Sequence, residues 1–88
     1  MSEAVREMEL SDTIEMMDSP DYKERFKAEY YQLKIRWRKL RRMVIAWEKG
    51  ELDFTPTCPK STYDLQLRAM KDYIAILGAR AVMEGIEL

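Results

Sequence analysis

The sequence predicts an all-α protein built on two long antiparallel helices, and three observations carry that prediction. Two stretches space their apolar residues alternately by four and three positions, the repeat that holds one face of a helix against a partner. A segment containing two prolines separates them. Turn formers are otherwise scarce: three Gly and three Pro stand against 47% hydrophobic and 35% charged residues, a composition of long amphipathic helices and not of a many-turned sheet.

Residues 1–18 are acidic and Met-rich, with Glu3, Glu7, Glu9, Asp12, Glu15 and Asp18 among Met8, Met16 and Met17. Their spacing through Val5, Met8 and Ile14 predicts a short helix or an arm. A helix start follows, with Ser19 as the expected N-cap, Pro20 at the first helical position and Asp21 in the first turn, where its charge meets the positive end of the dipole. The first long helix then carries the seam Phe26, Tyr30, Leu33, Trp37, Leu40, Val44 and Trp47. Gly50 stands where a left-handed cap is expected, and about 30 residues at 1.5 Å each give a length of roughly 45 Å.

The stretch 50–60, with Pro56 and Pro59 around Thr57 and Cys58, cannot continue a helix and reads as an ordered loop. Ser61 or Thr62 is the expected cap of a second helix with the seam Tyr63, Leu67, Met70, Ile74, Leu77 and Ala81, ending near Gly85. A loop of about ten residues folds such helices back as a hairpin. Residues 1–18 thus form an arm and 19–88 the hairpin domain. Tyr31, Ile35 and Ile45 widen the first apolar face, and Ala69, Tyr73, Ile76 and Met83 the second. Faces this wide in so short a chain predict a homo-oligomer, with the arm covering part of the remainder.

Composition also excludes function classes. The chain has no histidine and one cysteine, which removes the usual zinc, haem and copper ligands and the usual base of a nucleophilic triad. No cofactor is implied, and no enzyme activity is expected. Cys58 lacks a histidine to activate it and reads as structural. No apolar run approaches the roughly 20 residues that span a bilayer. The unpaired cysteine and the lack of a signal-like N-terminal succession predict a cytoplasmic protein.

The run from Lys34 to Arg42 sets Lys34, Arg36, Arg38, Lys39, Arg41 and Arg42 around Trp37 and Leu40 in a chain of net charge -1 and pI near 5.5. A cationic face on an acidic background suits a discrete anion and disfavours a nucleic acid polymer. Arg36 and Lys39 flank the seam, and guanidinium and ammonium groups there match phosphate. A solvated face neutralised by carboxylates is the alternative. Gln66, Tyr73 and Arg80, each seven residues apart, place amide, phenol and guanidinium on one helix face. Tyr22 falls in the first turn of its helix, where the dipole favours anions.

The run Asp21-Tyr22-Lys23-Glu24-Arg25-Phe26-Lys27-Ala28-Glu29-Tyr30, followed by Leu33, Arg36, Lys39-Leu40 and Met43, resembles the first helix of a widespread group of small phage proteins. Gln66, Met70, Tyr73, Leu77 and Arg80 resemble its second. The group includes small proteins of crAss-like phages and is similar to the anti-CBASS sponges, which sequester cyclic oligonucleotide messengers of bacterial immunity without cleaving them. The resemblance covers 21–88. It implies a helical homo-oligomer, typically a hexamer, with ligands at subunit interfaces. It further implies that Tyr22 and either Arg36 or Lys39 grip the messenger.

The expectation is therefore a phage anti-defence sponge that holds a cyclic di- or trinucleotide in the cytoplasm of the infected bacterium. Its pocket residues are expected to be Tyr22, Arg25, Arg36 and Lys39 with Gln66, Tyr73 and Arg80. Capture of an ADP-ribose-type signal made by TIR enzymes, or a helical scaffold with no small ligand, stands as the alternative.

Overall fold

The computed structural model describes residues 7–88, and within them the chain is all-helical. A 3₁₀ turn (Leu10–Thr13) leads into the short helix α1 (Ile14–Met17), followed by the long helices α2 (Tyr22–Glu48) and α3 (Lys60–Glu84). Of the residues assigned to the predicted arm, Glu3 and Val5 lie outside those described.

Both long helices start at other residues than the sequence predicts. Asp21, and not Ser19, is the N-cap of α2: its carboxylate accepts the Lys23 amide at 3.0 Å. The Ser19 hydroxyl sits one step further out and accepts the Asp21 amide at 3.0 Å, which leaves Pro20 ahead of the cap. In α3 neither Ser61 nor Thr62 caps the helix. Pro59 is the N-cap, its ring fixing φ at -60° while its carbonyl accepts the Thr62 amide at 3.0 Å. The earlier start brings Lys60 onto the helix, where its ammonium reaches Glu48 at 2.8 Å and Asp64 at 3.1 Å and ties the two long helices beside the loop. The bond to Glu48 and then that to Asp64 raise the Lys60 pKa.

The helix ends follow the glycines. Gly50 (φ 70°) lets the Glu51 amide turn back to the Ala46 carbonyl at 2.8 Å. Gly85 (φ 69°) does the same for the Ile86 amide and the Ala81 carbonyl at 2.8 Å, which drops Ile86 into the core. Gly85→Ala forces an L side chain into the left-handed region, so it should lower stability by about 1 kcal/mol in urea unfolding, with helix content retained.

The predicted seams meet. Phe26 of α2 buries against Leu77 and Ala81 of α3 with Ile86, and Tyr30 and Leu33 pack on this cluster. At the other end the Trp47 and Tyr63 rings lie edge to face at 6.0 Å. The start of α2 therefore contacts the end of α3, and the end of α2 the start of α3. A second face of α2, carrying Ala28, Gln32, Ile35 and Lys39 at spacings of four, three and four, receives the arm. Ala28 and Ile35 are buried. Thr13, fully buried, donates its hydroxyl to the Leu10 carbonyl at 2.7 Å and accepts from Gln32 Nε2 at 2.9 Å, so burying it leaves no hydroxyl bond unmade.

Candidate functional site

The cationic run divides between two surroundings because consecutive residues on a helix point 100° apart. Arg38, Lys39 and Arg42 turn toward the acidic arm. Arg42 pairs with Glu7, Lys39 Nζ lies 3.0 Å from Glu9, and Arg38 donates to the Met8 carbonyl at 3.0 Å. Arg38 Nε is shut off from solvent without a hydrogen-bond acceptor, 3.9 Å from Glu7. The bond from Arg42 lowers the Glu7 pKa below the ordinary glutamate value. A carboxylate whose folded pKa is depressed contributes stability above its unfolded value and loses it as pH falls through the folded one. Acidification below the usual carboxylate range should therefore release the arm. Amide hydrogen exchange at residues 10–17 is expected to accelerate there, while the centres of α2 and α3 stay protected.

Arg36 points elsewhere. It is exposed and makes no hydrogen bond or ion pair among the described residues. It lines an open groove of about 260 Å³ together with Arg25, Glu29, Gln32 and Leu33 of α2, Met17 of α1 and Tyr73 of α3. Three elements thus supply the walls. Arg25, Gln32 and Arg36 follow one another by seven and four residues along a single face of α2. The Arg25 guanidinium donates to the Ser19 carbonyl at 2.8 Å, which turns it back toward the helix start. Gln32 is fixed by Thr13 and by Met17 Sδ at 3.2 Å. The Tyr73 hydroxyl donates to the Glu29 carboxylate, and that bond, followed by burial, raises the phenol pKa.

The groove therefore gathers Arg25, Arg36 and Tyr73 of the seven residues predicted to bind a ligand. Lys39 lies outside it, held by Glu9. Arg80 stacks over the Phe26 ring at 4.9 Å and bonds Glu84 at 2.8 Å, and Arg80 with Tyr22 lowers the Glu84 pKa. Tyr22 and Arg80 thus sit together at the junction of α2 with the end of α3, beside the groove. Gln66 stands two turns before Tyr73 on α3, about 10 Å away along the axis. Gln32, Glu29 and Met17 line the groove without having been singled out from sequence. The 25, 29, 32, 36 spacing was the available signal for the two on α2.

A guanidinium with no carboxylate partner among the described residues, beside an aromatic ring and a fixed amide, offers hydrogen-bond donors and a ring face of the kind that suit a planar or anionic small molecule. The family model described as Sequestin matches residues 20–83, which span α2, the loop and α3. This chain belongs to the Sequestin family. The matched segment contains all the groove residues except Met17, so the arm lies outside what the family model covers. No curated protein and no solved structure matches the chain. Among the described residues of this Sequestin, no helix is long and apolar enough to cross a membrane.

Proposed function

We propose that this Sequestin captures a nucleotide immune messenger, a cyclic di- or trinucleotide, and holds it without breaking a bond, acting as a phage anti-defence sponge in the cytoplasm of the infected cell. The observation that carries the reading is Arg36, a guanidinium with no partner among the described residues, opening onto a groove that Tyr73 and Leu33 make partly apolar. Phosphate would take charge-assisted hydrogen bonds from Arg36 and Arg25, and a base would lie against Tyr73. The family name supports sequestration of a small molecule. The groove's side chains are guanidinium, amide, phenol, carboxylate and apolar groups, a set that binds and needs no catalytic base. A long polyanion is a poorer fit, since the arm already neutralises Arg38, Lys39 and Arg42.

An ADP-ribose-type signal made by TIR enzymes offers the same pairing of phosphate with base and is the second reading, favoured by the same two arginines seven and four residues from Gln32. Titration calorimetry against cyclic dinucleotides, cyclic trinucleotides and TIR products tests both readings. Saturable binding of a cyclic oligonucleotide supports the first, and binding of a TIR product alone supports the second. Silence across the whole panel, with unchanged melting temperature, leaves a helical scaffold as the remaining class.

A further inference from the structure

Thr13 is fully buried in the arm, where a valine would fill the same space with no polar group to satisfy. Its hydroxyl bonds have a fixed direction. The proton goes to the Leu10 carbonyl at 2.7 Å, within the 3₁₀ turn that both residues share. A backbone carbonyl only accepts, so this bond cannot run the other way. The hydroxyl oxygen is left as an acceptor, and it faces the Gln32 side-chain amide at 2.9 Å.

That decides which way the amide points. The two ends of a carboxamide have nearly the same size and shape, so its partners alone set its orientation. An amide oxygen turned toward Thr13 would set lone pair against lone pair. Nε2 therefore faces the arm, donating to Thr13 Oγ1 and to Met17 Sδ at 3.2 Å. Both N–H donors of Gln32 are spent there. Oε1 accepts no bond from the described residues and is the hydrogen-bonding atom the amide has left for the groove.

We propose that Thr13, acting through Gln32, makes the groove selective for a nucleobase with an exocyclic amino group over one that presents an oxo group instead. This rests on the groove being the nucleotide site proposed for it, and adds the base edge that the site accepts. Arg25 and Arg36, seven and four residues from Gln32 on the same face of α2, offer only donors and suit phosphate oxygens. Glu29, three residues before Gln32, is a second acceptor and already takes the Tyr73 hydroxyl. Anionic oxygens are thus drawn to the ends of this face and an N–H donor to its middle. A ribose hydroxyl both donates and accepts, so it meets either end of an amide. An amino group only donates, and it is what a fixed amide orientation selects. Adenine, guanine and cytosine carry one; uracil and hypoxanthine do not. Thr13 touches no ligand and is a positioning residue.

Calorimetry with the full chain compares each parent nucleotide with its hypoxanthine counterpart: cyclic di-AMP with cyclic di-IMP, and ADP-ribose with its inosine analogue. The parent is expected to bind at least about tenfold more tightly, because the oxo group sets one acceptor against another. Thr13→Val keeps the burial and removes the hydroxyl, so Gln32 can turn an N–H to the groove. The preference should then fall to about threefold or less, and Thr13→Ser should restore it. Gln32→Glu separates the acceptor from the position of the arm: it has no N–H for Thr13, so the arm loosens, but both of its oxygens accept and the preference is expected to persist. Equal binding of parent and counterpart by the wild type, an undiminished preference in Thr13→Val, or its loss in Gln32→Glu would each overturn the proposal and leave the nucleotide site standing. Failure of every probe to bind the wild type would overturn the reading of the groove and this selectivity with it.

Discussion

Arg36→Ala is expected to weaken binding of the proposed messenger by roughly 10- to 150-fold, the equivalent of one hydrogen bond to a charged group at about 1.5–3 kcal/mol. The free protein should melt where the wild type does, because the Arg36 side chain is exposed and holds no partner among the described residues. A ligand at 100 times its dissociation constant stabilises by about 2.7 kcal/mol, and a 100-fold loss of affinity reduces that to about 0.4 kcal/mol at the same concentration. Thermal shift with and without ligand, backed by calorimetry at low salt, reads the difference directly. Arg38→Ala supplies the contrast. It removes the bond to the Met8 carbonyl and the contacts to Glu7 and Glu9, so it should loosen the arm and leave messenger affinity within a few-fold. Equal losses of affinity for the two variants would show that general positive charge, and not the groove, binds the ligand.

Leu77→Ala should remove about 2–5 kcal/mol of folding stability, the range for truncating a fully buried leucine. Leu77 is 1% exposed and lies between Phe26, Ala81 and Ile86, the buried cluster that joins the start of α2 to the end of α3. The neighbours cannot readily collapse into the space, since Phe26 is held by the Arg80 guanidinium above it and Ile86 by the Gly85 turn. For a chain of this length about 3 kcal/mol corresponds to a drop of about 12–24 °C in melting temperature. Circular dichroism melts check it. Leu65→Ala, on the uncovered face of α3, should change the melting temperature of an isolated protomer by far less, and a comparable drop would mean that Leu65 is buried in solution.

The two long helices were legible because their seams keep a strict alternation of four and three from Phe26 to Trp47 and from Tyr63 to Ala81, and none of the residues at those positions is exposed. The boundaries were less so. Ser19 and Asp21 both have oxygens able to cap a helix, and only the backbone geometry around Pro20 decides between them. The groove could not be read from the basic run, since that run mixes two populations of cations separated by 100° per residue. Sorting them requires knowing where the arm lies, and the arm reaches Arg38 and Arg42 across 30 and 35 residues of chain. Ile35 illustrates the same point. Its apolar character widened the predicted face of the first long helix, and the structure buries it to 2% exposure on the side where the arm docks.

The placement of Met17 and Thr13 has an evolutionary consequence. One wall of the groove, and the pin that fixes Gln32, come from a segment that precedes the family's shared helices. Substitutions there can reshape the receptor without disturbing Phe26, Leu77 or the caps that keep the protein folded. Drift in a dozen residues is thus enough to change what the groove accepts, which makes this short segment the natural place to look for divergence of ligand choice between related chains.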